Sequence, residues 1–320
     1  MVNYTIIIPH HNIPNLLRRC LHSIPSRNDI QIIVVDDCSD EIYKSDLFSL
    51  EKDYSHVEFY YSDVCKGGGA ARNIGLQHAK GKYVLFADAD DFFNYCIGDV
   101  LNEYINETCD IIFFNANCLD TDTYLPKNRI QHLNTMHEEY ERLPEKAITS
   151  LKYLYGEPSC KFVKRELIEK NNIQFEETRI HNDTKFSYLV GFYANDVKVD
   201  HRAIYCLTER NNSVSKNTTH QAQLTRTKIF AEKNIFLKDH QIHSFDEIMI
   251  WPFDYYLTIH DYNHFKECLK IINQYGFSSM FVIKQTVFFK WKNCLLHKLI
   301  KKITKVSLVM AHLHNLGIVV

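Results

Sequence analysis

Apolar positions in the first quarter of the chain fall in short, evenly spaced runs. Thr5-Ile8, Gln31-Val35, Val57-Tyr61 and Tyr83-Ala87 are rich in β-branched and aromatic residues, and each gives way to a polar loop and then a segment of helical length. That alternation predicts strands and helices following one another, the rhythm of a parallel sheet flanked by helices. The first run, Thr5-Ile-Ile-Ile-Pro9, is nearly all apolar, as a strand buried on both faces requires, and it stops at Pro9 before His10-His11-Asn12. In such sheets ligands sit beyond the carboxyl ends of the strands. His10-Asn12, Asp36-Asp37 and Asp88-Asp91 all fall there, so three polar or acidic clusters are expected on one rim.

From about His220 the pattern changes to mixed Phe, Tyr, Leu and Lys and reads as helical. Leu296, Leu299, Ile300, Ile303 and Met310 share one helical face, and Lys298, Lys301 and Lys305 lie on another. Lys284, Lys290, Lys292 and Lys298 interrupt every window that approaches the roughly 20 apolar residues a bilayer span needs. The tail over 280–320, with Phe288, Phe289 and Trp291, is therefore expected to lie on an anionic membrane surface as a peripheral contact. A helix packed on the preceding domain, with its lysines solvated, is the competing expectation.

Composition narrows the class. The chain has 320 residues, 45% apolar and 24% charged, which suits a folded, water-soluble protein. Its formal net charge of −2 gives no reason to expect a nucleic-acid partner. The last acidic residue is Glu267, so the eight lysines from Cys268 onward leave the rest of the chain at −10. Ten cysteines without a CxxC pair suggest packed, reduced thiols rather than a zinc knuckle or disulfide scaffold. Met1 to Pro9 has no basic segment and reads as a first strand rather than a signal peptide, so a cytoplasmic location is expected, at most peripheral at the inner face of the plasma membrane.

Three motifs carry candidate chemistry. The second strand runs into Asp36-Asp37-Cys38-Ser39-Asp40, and buried carboxylates there need donors, for which a nucleobase NH or ribose hydroxyls are suitable; helix capping by Asp37 and Ser39 is the plain alternative. Lys66-Gly67-Gly68-Gly69-Ala70-Ala71-Arg72 permits close backbone approach and places a guanidinium that can fork onto a carboxylate or phosphate, although a flexible turn would look the same. Phe86-Ala87-Asp88-Ala89-Asp90-Asp91 puts three carboxylates in four residues at a strand end. Hard divalent cations such as Mn²⁺ or Mg²⁺ take one or two carboxylates and leave other positions to substrate phosphates. An acidic loop that only starts a helix is again the alternative.

In order, Ile8-Pro9-His10-His11-Asn12, Val35-Asp36-Asp37-Cys38-Ser39, Gly69-Ala70-Ala71-Arg72-Asn73-Ile74-Gly75 and Asp88-Ala89-Asp90-Asp91 resemble the family 2 inverting glycosyltransferases, which have the GT-A fold. The resemblance continues at Ser159-Cys-Lys161-Phe162-Val163-Lys164-Arg165, at His181-Asn182-Asp183-Thr184-Lys185-Phe186 and more faintly at Glu209-Arg210-Asn211-Asn212-Ser213, and so spans about residues 3 to 216. It implies an α/β fold with a mostly parallel sheet over residues 1–216, the nucleotide-sugar part about 1–95 and the acceptor part about 96–216, followed by a helical region over 217–320.

The same resemblance assigns Pro9, His11, Asn12, Asp37, Gly69, Arg72, Asp88, Ala89 and Asp90 to the nucleotide-sugar, with Asp88 and Asp90 handling ribose and the Mn²⁺ or Mg²⁺ ion. It makes Asp183 the base that deprotonates the acceptor hydroxyl, and leaves Lys161, His181, Arg210 and Ser213 for diphosphate or acceptor contacts. Expected partners are a UDP-sugar and a glycan or lipid-linked acceptor of a bacterial surface polysaccharide. His11 stands where the family usually has an aromatic residue, and Asn182 where it often has Glu. Those departures motivate a second reading, a catalytically silent nucleotide-sugar-binding or scaffold protein. A sugar nucleotidyltransferase is a third, but His10-His11-Asn12 replaces the Gly-rich basic loop such enzymes carry after their first strand. Read without that resemblance, Asp183 is a cap for a helix over Thr184-Tyr193 and His181 a loop histidine.

Overall fold

The apolar run at the start of the chain forms β1 (Tyr4–His10), buried along its whole length except at the half-buried Pro9. In the computed structural model, which describes residues 2–210 and 218–292, β1 is flanked by two parallel neighbours. One is β2 (Ile30–Asp36), reached through α1 (Pro14–His22). From β2 the chain passes through α2 (Glu41–Asp53) to β3 (Val57–Tyr61), then through α3 (Gly68–His78) to β4 (Tyr83–Phe86), which pairs with the other side of β1. All four expected strands are present, with ends within two residues of those read from the apolar runs.

Beyond β4 the chain continues through β5 (Phe92–Phe93), α4 (Ile97–Glu103), β6 (Ile111–Asp120), α5 (Gln131–Tyr140), α6 (Pro144–Tyr153), β7 (Lys161–Lys164), α7 (Arg165–Lys170), α8 (Thr184–Tyr193) and β8 (Val197–Glu209). The eight strands form one sheet in the order β3-β2-β1-β4-β7-β6-β8-β5. Pairing is parallel from β3 to β4, reverses on both sides of β7, is parallel again between β6 and β8, and is antiparallel at β5. The sheet is thus mixed, with four parallel pairings to three antiparallel ones. The short β7, Lys-Phe-Val-Lys, carries too little apolar pattern to have announced that reversal. Tyr4, Tyr83, Phe114 and Phe162 are fully buried around β7 and its neighbours, with the rings of Phe114 and Phe162 centred 4.5 Å apart. Each such side chain contributes roughly 1.5–3 kcal/mol through burial.

The chain divides into two compact units, Met1–Asn217 and Thr218–Val320. Among its described residues the second contains α9 (His220–Asp239), a 3₁₀ turn over Glu247–Ile250, α10 (Trp251–Thr258), α11 (Tyr262–Gln274) and helical residues 279–292. Phe230, Met249, Phe253, Tyr256, Phe265 and Ile272 form its own core. Of the expected amphipathic tail, Phe289 packs against this core and Lys292 lies 3.4 Å from Glu247, whereas Phe288 and Trp291 are exposed. Leu296 through Met310, with Lys298, Lys301 and Lys305, lie outside the described residues. Among the described residues no helix is long and apolar enough to cross a membrane, and the nine cysteines are all free thiols.

Candidate active site

The ends of β1 and β2 are laced together by side chains. His10 Nδ1 lies 2.7 Å from Asp36 Oδ1, and the Ser39 hydroxyl and backbone N–H donate to the same carboxylate at 2.6 and 2.9 Å. Burial would raise the Asp36 carboxyl, but these bonds from His10 and Ser39 outweigh it and hold the group below its usual range. Asp37 accepts the backbone N–H groups of Lys66 and Gly67 at 3.0 and 2.7 Å. Donors that the sequence pattern left to a nucleotide therefore come, for these two carboxylates, from the chain itself. Capping of α2 is not their task either, since Asp40 occupies the N-cap position. His11 Nδ1 donates to the Asp37 carbonyl at 2.9 Å, the Asn12 N–H donates to Ser39 Oγ at 2.8 Å, and Pro9 pairs with Val35 inside the ladder. Asn12 and Cys38 both sit at positive φ, 59° and 60°. For non-glycine residues that backbone costs about 1–3 kcal/mol each and concentrates where a loop must hold a functional shape.

Asp37 fixes the loop that leads into α3, and α3 ties the acidic loop to the segment before α8. A Cβ on Gly69 would stand 2.1 Å from the Glu176 carbonyl oxygen and 2.9 Å from Asn182 Cβ, so the glycine is what lets that segment close onto the helix. Three residues on, the buried Arg72 guanidinium donates to Asp88 Oδ1 at 2.6 Å and to Asn182 Oδ1 at 3.0 Å, and lies over the Phe175 ring. Phe175 in turn stacks on Phe186 of α8 at 4.0 Å. Asp183 occupies the N-cap position of α8, which covers the expected Thr184–Tyr193, yet its side chain makes no capping hydrogen bond. Its carboxyl is pushed up to about 6, first by burial, with Arg72 pulling it down and Glu157 and Asp88 pushing it further up. His181, with φ 53°, bends the chain just before it.

The acidic loop is held from β8 and the residue after it. Asp91 is buried and accepts the Thr208 N–H at 2.6 Å, while the Tyr205 hydroxyl meets the Asp88 N–H at 2.8 Å. Arg210 directs Nε and Nη2 onto Asp90 Oδ2 at 2.8 and 2.7 Å. Burial, then the charge of Asp88, raises the Asp90 carboxyl against the pull of Arg210, and burial holds Asp91 well above its usual range. One carboxylate oxygen from each of Asp88, Asp90 and Asp91 lies within 4.8 Å of the others. An all-oxygen set of this density fits a hard divalent cation, whose charge would relieve the mutual repulsion of the three groups. Asp91, buried and bonded to backbone, leaves Asp88 and Asp90 as the partly exposed pair. Ala89 between them points its methyl into the core.

Lys161 on β7 is buried, with Nζ 3.4 Å from Ser187 Oγ and 4.8 Å from the Tyr155 ring centre. Ser213 lies outside the described residues. Three residues without any local motif also belong to this region. Glu157 sits 3.6 Å from His132 Nε2, and despite burial its carboxyl is held down to about 2 by that histidine. Arg129 lies within electrostatic reach of Glu157, Asp91 and Asp88. Arg129 enters from the turn before α5, His132 from the first turn of α5 and Glu157 from the segment before β7, places that no spacing rule singles out.

Comparisons with known proteins point to one family and one fold. The family described as Glycosyl transferase family 2 matches residues 5–171. The uncharacterized glycosyltransferase EpsJ of Bacillus subtilis is 27% identical over 227 residues, a stretch that is 66% of this chain and 62% of EpsJ. The poly(ribitol-phosphate) beta-N-acetylglucosaminyltransferase TarS of Staphylococcus aureus is 24% identical over 220 residues, covering 66% of this chain and 36% of TarS. The match thus spans less than two thirds of either relative. A crystal structure of S. aureus TarS in complex with UDP-GlcNAc has the same fold, with a TM-score of 0.62 at 19% identity over 86% of this chain and 81% of that one. Because the family match takes in more than half of the chain and all the strand-end clusters from His10 to Asp91, this protein belongs to glycosyl transferase family 2.

Proposed function

We propose that the protein is a metal-dependent inverting glycosyltransferase that moves one sugar from a UDP-sugar to a hydroxyl of a glycan or lipid-linked glycan, in the synthesis of a cell-surface polysaccharide. The observation that carries this reading is Arg72, whose two hydrogen bonds join the acidic loop to the segment bearing Asp183. Asp88 of the candidate cation site and the residue before the candidate base thereby share one guanidinium. The uridine donor and polymeric acceptor are suggested by the TarS complex with UDP-GlcNAc and by the poly(ribitol-phosphate) in that enzyme's name.

In this reading Pro9, His11, Asn12 and Asp37 shape the base end of the donor site, and Asp88 and Asp90 would hold Mn²⁺ or Mg²⁺. When bound, that ion supplies positive charge to the diphosphate leaving group. Arg210 fixes Asp90 and Arg72 fixes Asp88, so both carboxylates are oriented before substrate arrives. Asp183, with its carboxyl near 6, is ionised at neutral pH and basic enough to take a proton from an acceptor hydroxyl. The oxygen then attacks the anomeric carbon opposite the diphosphate. A new C–O bond forms as the sugar-phosphate bond breaks, the proton stays on Asp183, the electron pair leaves with UDP, and the configuration inverts.

A panel of UDP-sugars with Mn²⁺, scored for thermal stabilisation and for transfer, tests this. Asp90→Ala is expected to lose Mn²⁺-dependent stabilisation by the donor. Asp183→Asn is expected to keep it and lose roughly 10²- to 10⁴-fold in transfer. Transfer by Asp183→Asn at the wild-type rate would overturn the base assignment. Indifference of the wild-type chain to every UDP-sugar would overturn the whole reading, and donor binding without turnover would favour the silent scaffold.

A further inference from the structure

The helical unit holds a second cluster of metal-ligating side chains that the transfer reaction does not use. Asp261, His264 and Glu267 recur every third residue, which places them along one side of α11. His220 opens α9 beside them. One donor atom from each of His220, His264 and Glu267 lies within 4.8 Å of the others.

Both imidazoles are already oriented from behind. His264 Nδ1 lies 2.6 Å from Asp261 Oδ2, while the other oxygen of that carboxylate caps α11 by accepting the His264 backbone N–H at 3.2 Å. His220 Nδ1 lies 2.7 Å from the hydroxyl of the buried Tyr256. His264 therefore has Nε2 left to offer, whereas His220 Nε2 now pairs with Glu267 Oε2 at 2.9 Å, a contact that an ion between the two would replace. A histidine whose far nitrogen is held by a carboxylate is the arrangement metal sites use to fix tautomer and direction. We propose that His220, His264 and Glu267 bind a Zn²⁺ ion, with solvent in the fourth position, and that this ion clips the start of α9 to α11.

Two nitrogens and one carboxylate suit zinc and not the hard cations favoured by the all-oxygen acidic loop. Tetrahedral ligands about 2.0–2.1 Å from the metal stand about 3.3 Å apart; the His220 and His264 rings lie 3.8 Å centre to centre, so binding requires these partly exposed imidazoles to swing apart until both Nε2 atoms face the ion. The neighbouring Cys268 takes no part, since it is fully buried on the core side of the helix. The site lies within one unit and does not rest on the proposed transferase activity.

The test is equilibrium Zn²⁺ binding to the metal-stripped full-length chain in competition with a chromophoric chelator, with Co²⁺ as a spectroscopic probe. Wild type and Asp90→Ala are expected to share one tight Zn²⁺ and the visible bands of tetrahedral Co²⁺. His264→Ala and Glu267→Gln are expected to lose both, and Asp261→Asn to weaken binding about 10- to 100-fold. Glu267 is an exposed carboxylate, so Glu267→Gln decides the matter should His264→Ala fail to fold. Equal zinc affinity and stoichiometry in wild type and Glu267→Gln, or no zinc bound by wild type, would overturn the proposal.

Discussion

Asp183 joins a structural cost to its proposed use as the base. Its folded-state carboxyl, near 6, binds a proton more tightly than the unfolded chain's, at about 3.8. The sign follows from linkage: this group favours folding fully below about pH 4 and loses that contribution as pH rises through about 6. Asp183→Asn should consequently raise Tm at pH 8 and change it little at pH 4, while removing transfer. A Tm at pH 8 no higher than wild type would mean that the carboxylate is not desolvated. For the active enzyme the same value predicts that kcat/KM falls about tenfold per pH unit below about 6, as the base form is lost. A flat profile down to pH 5 would point to a different base. Arg72 acts between residues rather than on its own: Arg72→Lys keeps the charge but one ammonium does not reproduce the planar fork onto Asp88 and Asn182. Donor-dependent stabilisation and transfer should both fall, which separates this variant from Asp183→Asn.

At the level of elements, the approach of α3 to the 176–182 segment is decided by one missing methyl group. Gly69→Ala forces a Cβ to within 2.1 Å of backbone that does not yield cheaply, so a stability loss of about 1–3 kcal/mol and a large drop in transfer are expected. Gly98, inside α4, makes the control. A Cβ there meets nothing within 4 Å, and Gly98→Ala should stabilise the chain by roughly 0.5–1 kcal/mol through helix propensity alone. Thermal melts of the two variants side by side check both. The antiparallel β7 has an equally local origin and a wider effect. By entering between β4 and β6 it sets the strands that carry the acidic loop beside those that lead to Arg129 and Glu157.

Taken as a whole molecule, the chain pairs an acidic α/β unit with a helical one whose final 53 residues carry lysine as their only charged side chain. Exposed Phe288 and Trp291 beside Lys290 and Lys292 give that end amphipathic character within the described residues. The full-length chain is expected to co-sediment with anionic vesicles and to be released by salt, because attraction of this kind is screened. Persistence in the supernatant at low salt would remove the membrane contact from the account.

The linear pattern was enough for the α/β class, for strands β1 to β4 and for the strand-end positions of Asp37, Asp88 and Asp90, because burial periodicity and strand termination are properties of consecutive residues. The helical character of the second unit was legible for the same reason. Tertiary structure alone decided the reversal at β7, the donors that occupy Asp36 and Asp37, the service of Arg210 to Asp90 across 120 positions, and the presence near Asp183 of Glu157, itself paired with His132. It likewise decided that His220 would meet His264 and Glu267. Such pairings depend on which strands and helices become neighbours, an outcome of packing the entire core, and no local spacing encodes it.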